Sequence, residues 1–185
     1  MYRFDKSLVA LVTAAPNLRH LSIRCNPNKS TEIKGELILA VGRACCANLR
    51  IFSCKELHIG PNDSLLKPVL TTCRNIVVLD LFMHQELTNT ALIEALSALI
   101  SLHSLDLRGC CRLTDRTLEF LAERFECTLT SLYINNRVCS RNDIEGESEE
   151  GYLVRSKYQE LTGYTADDIA KLRMQCTYLE VYLKC

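Results

Sequence analysis

The chain has 185 residues, which is long enough for one domain with a sizeable apolar core. Lys and Arg together number 22, as do Asp and Glu, so the formal net charge is zero, which argues against an extended electrostatic surface for nucleic acid. The sequence lacks a continuous apolar run of about 18 residues, and no apolar signal core directly follows the charged start from Met1 to Lys6, so we expect neither a membrane span nor a cleaved signal peptide.

The cysteine content points to a reducing compartment. The chain has eleven cysteines, and their spacing does not follow a disulfide framework. Without a secretory signal, we expect reduced thiols and a cytoplasmic or nuclear location. The adjacent pairs Cys45-Cys46 and Cys110-Cys111 raise a zinc alternative, but zinc sites usually use Cys-x-x-Cys spacing, and neighbouring side chains point apart. We therefore expect core packing, with no metal and no cofactor.

The first elements in chain order are a helix and a strand. An apolar segment with Leu8 and Leu11 predicts the helical half of a repeat, and residues Leu18 to Ile23 predict a strand. A longer loop, Asn26 to Thr31, follows. A second helix is predicted near Glu36 to Cys45.

An L-x-x-L-x-L pattern recurs five times along the chain. Its last four copies start at positions 49, 76, 102 and 129, so they are 27, 26 and 27 residues apart. A period in this range is typical of leucine-rich repeats, in which a short strand and a helix alternate. The apolar triplets are Leu18, Leu21, Ile23; Leu49, Phe52, Cys54; Ile76, Leu79, Leu81; Leu102, Leu105, Leu107; and Leu129, Leu132, Ile134.

Helices are predicted after these strands, where apolar spacing changes from two to three and four. The clearest helix carries Leu118, Leu121 and Phe125, and either Thr114 or Asp115 can cap it. The other helical residues are Leu65, Leu66, Val69 and Leu70; Leu92, Ile93, Leu96 and Leu99; and Leu161, Ile169, Leu172 and Cys176. The register near position 49 stays open, because Cys54, Leu57, Ile59 and Asn62 also fit the template.

The C-terminal third contains one irregular stretch. Residues 137–151 are polar and acidic, which predicts a mobile surface insertion, with an acidic docking segment for a basic partner as the alternative. A final strand is predicted within Tyr178 to Cys185. The whole pattern predicts one α/β leucine-rich-repeat solenoid over residues 1–185, with about six repeats, a curved parallel sheet on the concave face and helices on the convex face. Neither end has a polar cap in the sequence, so we expect a fragment or a short isoform.

The text from Leu102 to Asp115, LHSLDLRGCCRLTD, resembles the cysteine-containing leucine-rich repeat, whose pattern is Leu-x-x-Leu-x-Leu-x-x-Cys-x-x-Leu-Thr-Asp. This repeat is familiar from F-box proteins, the substrate receptors of Skp1–cullin–F-box ubiquitin ligases, and it also occurs in adaptors without an F-box. The resemblance implies a protein-binding solenoid. No F-box is visible, so binding to Skp1 or cullin is expected only if an F-box exists outside this chain. The position of Cys110 is occupied by His84, Asn26, Leu57 and Arg137 in the other repeats.

Candidate binding residues lie on the predicted concave face. Residues that alternate with the core positions point away from the core, and several are charged or aromatic, as anchors of protein interfaces often are. The candidates are Arg24, Lys55, Asp80, Phe82, Asp106, Arg108, Tyr133 and Asn135. The alternative is an ordinary solvated strand face.

The predicted function is protein–protein interaction without catalysis. No motif assigns an acid or an oxyanion site to the four histidines, and seven glycines form no phosphate loop. By resemblance, the leading prediction is the substrate-recognition region of an F-box-type ubiquitin ligase receptor. The alternatives are a non-ligase scaffold or adaptor and a truncated product without retained function. No nucleic-acid or membrane partner is expected.

Overall fold

Helices and strands alternate along the chain. The computed structural model describes residues 3–24, 35–55, 66–135, 164, 166–176 and 178–184. The predicted acidic insertion at 137–151 lies outside these residues, as do Leu57, Ile59 and Asn62 of the alternative register. The elements are α1 (Arg3–Thr13), β1 (His20–Arg24), α2 (Gly35–Cys45), β2 (Ile51–Lys55), α3 (Leu66–Thr72), β3 (Val78–Asp80), α4 (Asn89–Leu96), β4 (Ser104–Asp106), α5 (Asp115–Phe125), β5 (Ser131–Asn135), α6 (Ala166–Gln175) and β6 (Glu180–Lys184).

The six described strands form one parallel sheet in chain order, β1 to β6. Each strand pairs with the next in the chain, so each helix from α2 to α6 lies in the crossover between two neighbouring strands, and α1 precedes the first strand. The middle residues of the apolar triplets align across the sheet: Leu21, Phe52, Leu79, Leu105 and Leu132, followed by Val181 in β6. This alignment confirms the predicted α/β architecture with a parallel sheet and places Phe52, as first predicted, at the core position of β2.

The core lies between the sheet and a single layer of helices. Apolar residues of the strands and of the helices belong to one buried cluster. Leu105 of β4, Leu92 of α4 and Leu121 of α5 have no exposed surface. Each helix packs against the next one in the chain, from α1 to α6. The sheet face opposite the helices is therefore the surface on which the alternate strand residues lie.

A tight turn repeats after β3 and β4, and an aspartate holds it. Asp80 accepts the backbone N–H of Phe82 at 3.1 Å, and Asp106 accepts that of Arg108 at 3.0 Å. The next residue is left-handed in both turns, with φ 63° at Met83 and 80° at Gly109. A side chain at 109 would also bring its Cβ against the side chain and backbone of Met83, so both the space and the φ angle favour glycine there.

The side chain at the cysteine position of the repeat contacts a backbone carbonyl of the preceding repeat. The thiol of Cys110 donates to the carbonyl of Leu81 at 3.2 Å. His84, which occupies the same position one repeat earlier, has its Nε2 2.6 Å from the carbonyl of Cys54. Both acceptors are the third apolar residue of the preceding repeat, and both side chains are buried. A hydrogen-bond donor at this position therefore satisfies a buried carbonyl of the neighbouring repeat.

The N-termini of α4 and α5 are linked through Asn89. Thr88 caps α4 by accepting the Ala91 N–H at 3.3 Å. Thr114 stands at the same position of α5 but makes no such cap, because its hydroxyl accepts a hydrogen bond from Asn89 Nδ2 at 2.8 Å. Asn89 Oδ1 also accepts the Thr114 N–H and the Thr117 hydroxyl. Of the two predicted capping residues, Thr114 therefore occupies the N-cap position, but its side chain makes no cap hydrogen bond and instead joins a bridge between repeats.

The adjacent cysteine pairs contact backbone rather than each other. The thiol of Cys45 lies 3.5 Å from the carbonyl of Ala15, and that of Cys111 lies 3.5 Å from the carbonyl of Gly109. Burial, followed by the neighbouring Cys46 and Cys45, raises the pKa of Cys73 to about 12. Within the described ranges, no three potential metal ligands lie together, and no helix is long and apolar enough to cross a membrane.

Candidate functional site on the open sheet face

The sheet register aligns the predicted binding residues into two columns. The central column contains one residue from each strand, and its neighbours are in register: Ser22, Ser53, Asp80, Asp106, Tyr133 and Tyr182. The second column begins with Arg24 and Lys55, which are also in register, and ends with Asn135 and Lys184. Phe82 and Arg108 follow β3 and β4 between these pairs. The face opposite the helices thus brings together residues more than 100 positions apart in sequence.

Asp80 is the centre of a polar cluster on β2 and β3. Its Oδ2 lies 2.7 Å from Lys55 Nζ and accepts the Ser53 hydroxyl at 3.2 Å, while its Oδ1 receives the Phe82 N–H. The carboxylate therefore has a partner for each oxygen. The predicted basic residue Lys55 and the predicted acidic residue Asp80 neutralise one another.

Asp106 forms the corresponding cluster with Arg108. Arg108 Nε lies 2.9 Å from Asp106 Oδ1, and its second terminal nitrogen contacts Oδ2, which gives a bidentate pair. The hydrogen bond to Asp106 raises the pKa of Arg108, so this guanidinium is charged at every working pH. Asp106 is only 8 % exposed. Arg108 neutralises the charge of Asp106, and the hydrogen bond from the Arg108 backbone N–H to Asp106 stabilises the turn after β4.

Arg108 is also held between aromatic rings. Its guanidinium carbon lies 5.5 Å from the ring centre of Phe82 and 5.3 Å from that of Tyr133, within the range of cation–π contacts. Tyr133 stacks on Tyr182 with ring centres 4.5 Å apart and an interplanar angle of 10°. These four residues, Phe82, Arg108, Tyr133 and Tyr182, form a continuous row across β3 to β6, which we call the stacked patch.

Tyr182 and Glu180 were missing from the predicted site. Tyr182 is 41 % exposed and donates its hydroxyl to Glu180, and this hydrogen bond raises the pKa of the phenol. The sequence contained the necessary signal, because alternation along the predicted last strand places both residues on the face of Tyr133. The register of β6 against β5 brings Tyr182 directly beside Tyr133.

Two of the predicted binding residues, Arg24 and Asn135, are not part of the stacked patch. Arg24 is exposed on β1, which is two strands away from the stacked patch. Asn135 occupies its predicted register position opposite Lys184 at the end of β5. Its side chain lies outside the described part of the chain. The stacked patch therefore includes Phe82, Arg108 and Tyr133 of the original candidates and adds Tyr182.

Comparison with known proteins identifies the fold. No protein-family model matches the chain, and no curated protein matches it. A solved structure of the tropomodulin C-terminal domain from Caenorhabditis elegans is similar, with a TM-score of 0.51 and 16 % sequence identity, over 92 % of this chain and 96 % of that one. That domain has a leucine-rich-repeat-like fold with a parallel sheet. This chain has the same class of fold. At this identity the likeness concerns architecture, and the residues of the stacked patch must be interpreted from their own contacts.

Proposed function

We propose that this chain is a protein-interaction module that binds its partner on the open sheet face. The observation that carries this proposal is the stacked patch, in which one arginine and three aromatic side chains lie in a row across four strands. Tyrosine and arginine are enriched among residues that dominate binding energy, because they present large, rigid surfaces together with hydrogen-bond donors. We also propose that the chain has no catalytic activity and works in the cytoplasm or nucleus.

A narrower proposal concerns the pathway. The cysteine-containing repeat from Leu102 to Asp115 supports a substrate-recognition region of an F-box-type ubiquitin ligase receptor. In that role, the open face would hold the target and the ligase components would contact residues outside this chain. The alternative is a scaffold or adaptor, which would use the same face without promoting degradation.

Site-directed photo-crosslinking tests the general proposal. A photoreactive phenylalanine analogue at Tyr182 should crosslink to a partner in cells, while the same analogue at Glu123, which is exposed on α5, should not. The crosslinked protein is identified, purified and bound to the chain directly. Tyr182→Ala should then weaken this binding by about tenfold or more. A partner that crosslinks equally from Glu123, or binds Tyr182→Ala unchanged, would contradict the proposed surface.

The fate of the identified partner separates the two narrower roles. For a ligase receptor, the partner should accumulate when the proteasome is inhibited, and Tyr182→Ala should prolong its half-life. For a scaffold, the same variant should release the partner without a change in its half-life. Aspartates 80 and 106 are unsuitable as probes in this experiment, because both hold turns of the fold.

A further inference from the structure

Two ion pairs neutralise most of the charge that the described residues place around the stacked patch. On β2 to β6, from Ile51 to Tyr182, the described charged residues of this face are already engaged. Lys55 pairs with Asp80, Arg108 pairs with Asp106, and Glu180 accepts the Tyr182 hydroxyl. An acidic ligand would have to displace Asp80 or Asp106 from its cation, and displacing Asp106 would leave this nearly buried carboxylate without its counter-ion. A basic ligand would find only Glu180 not neutralised among the described charged residues of this face from β2 to β6.

The groups that remain available are aromatic surface and two hydrogen-bond donors. Because β4 and β6 flank β5, Arg108 and Tyr182 approach the Tyr133 ring from opposite sides. The outer face of Tyr182 stays exposed. The hydroxyl of Tyr133 and the Nη1 of Arg108 make no hydrogen bond with the part of the chain that the structure describes. Both groups can donate to a carbonyl oxygen.

Aromatic surface beside carbonyl-directed donors fits one type of ligand. A polyproline II segment has no internal hydrogen bonds, so its carbonyls are exposed, and its rings pack on aromatic side chains. We propose that the stacked patch binds an uncharged, proline-rich extended segment of a partner protein. This proposal rests on the proposed function, since it names the chemistry of the partner for the same face.

The length of the patch sets the length of the segment. Phe82 follows β3 and Tyr182 lies on β6, three strands further along the sheet, which corresponds to about 14 Å at a strand spacing of about 4.8 Å. A polyproline II helix advances about 3.1 Å per residue, so about five residues cross the patch. Its left-handed helix has three residues per turn, so every third side chain would face the rings.

Fluorescence anisotropy with synthetic peptides tests this ligand class. The probe is a labelled proline decamer, and the comparison peptides are decamers that alternate serine with glutamate or serine with lysine. We expect the proline decamer to bind the full chain, with an affinity that changes less than about twofold between about 0.05 and 0.5 M salt. Tighter binding of either charged decamer, or a proline affinity that falls steeply with salt, would overturn the proposal.

Substitutions within the stacked patch test whether the proline decamer binds there. Tyr182→Ala should weaken the proline decamer about tenfold, and Tyr133→Phe, which removes only a hydroxyl donor, should weaken it about threefold to tenfold. Tyr178→Ala is the matched control, because Tyr178 is 81 % exposed and precedes β6. Equal effects of Tyr178→Ala and Tyr182→Ala would overturn the assignment. If no decamer binds while a crosslinked partner still depends on Tyr182, the ligand class is wrong and the proposed function stands.

Discussion

Replacement of Asp106 by alanine tests whether this aspartate serves the fold or a partner. Its carboxylate accepts the Arg108 N–H at 3.0 Å and binds the Arg108 guanidinium through Nε at 2.9 Å. Asp106→Ala removes both contacts at once. If the residue holds the turn after β4, the loss must appear in the isolated chain, without any partner present.

The expected magnitude follows from these two contacts. The backbone hydrogen bond contributes about 1 kcal/mol, and a hydrogen bond to a charged group contributes about 1.5–3 kcal/mol. The Arg108 side chain keeps 21 % of its surface in water, so solvent partly replaces the lost carboxylate and the lower end applies. We expect Asp106→Ala to lower the free energy of unfolding by about 2–3 kcal/mol, or Tm by about 4–12 °C. Asp106→Asn keeps an acceptor for the N–H and should lose only about 1 kcal/mol.

Urea unfolding followed by circular dichroism measures these losses, with an unchanged m-value as the sign of a comparable transition. Glu123→Ala is the matched control, because this exposed carboxylate on α5 should change stability by less than about 0.5 kcal/mol. A double-mutant cycle with Arg108→Met should show a coupling of about 1–2 kcal/mol. If Asp106→Ala is as stable as Glu123→Ala, the turn does not depend on the Asp106 carboxylate. Partner binding would then be the role that the sequence predicts for this residue.

Four further outcomes follow from the contacts of the repeats. His84→Leu should lower the free energy of unfolding by about 1–3 kcal/mol, because the carbonyl of Cys54 loses its donor; urea unfolding checks this, and an unchanged midpoint would contradict it. Gly109→Ala should cost about 1–3 kcal/mol, since it combines a φ of 80° with a clash against Met83, and native-like stability would show that the turn can relax. Cys127 should react with iodoacetamide in the native protein while Cys73 stays unmodified until unfolding. Because folding raises the pKa of Cys73 from 9.0 to about 12, the contribution of this thiol to stability should be constant below pH 9 and fall as pH rises towards 12. Glu180→Gln should lower the pKa of Tyr182 towards that of an ordinary tyrosine, as followed by ultraviolet titration; an unchanged titration curve would exclude the hydrogen bond.

Apolar spacing was sufficient to predict the architecture. The positions of Leu79, Leu105 and Leu132 follow a fixed interval, and only a parallel sheet with one helix per crossover brings all of them to equivalent core sites. The same interval predicts that Asp80 and Asp106 lie side by side, and they are in register on β3 and β4. Periodicity therefore predicts which residues are neighbours across the sheet.

Periodicity does not predict how neighbouring polar groups share their hydrogen bonds. Asp80 and Asp106 lie side by side on the sheet as predicted. Spacing did not predict that their carboxylates also bind Lys55, Arg108 and the backbone of their own turns. Thr114 or Asp115 was predicted to cap α5; Thr114 occupies the N-cap position, but its hydroxyl accepts from Asn89 and makes no cap hydrogen bond. In each example the competing partner lies in the same turn or about one repeat away, so the outcome depends on side-chain geometry that spacing alone does not contain.

The cysteine position of the repeat shows what a degenerate motif conserves physically. Cys110 and His84 differ in size, polarity and chemistry, but each brings a donor to the carbonyl at the third apolar position of the preceding repeat. A buried carbonyl without a partner is costly, so the constraint at this position is on donor geometry rather than on the thiol. A histidine there is therefore no sign of catalysis, and a cysteine there is no sign of a metal or a redox centre. The stacked patch differs from these positions because Phe82, Tyr133 and Tyr182 keep part of their aromatic surface exposed, and this surface is the physical reason to look for the partner there.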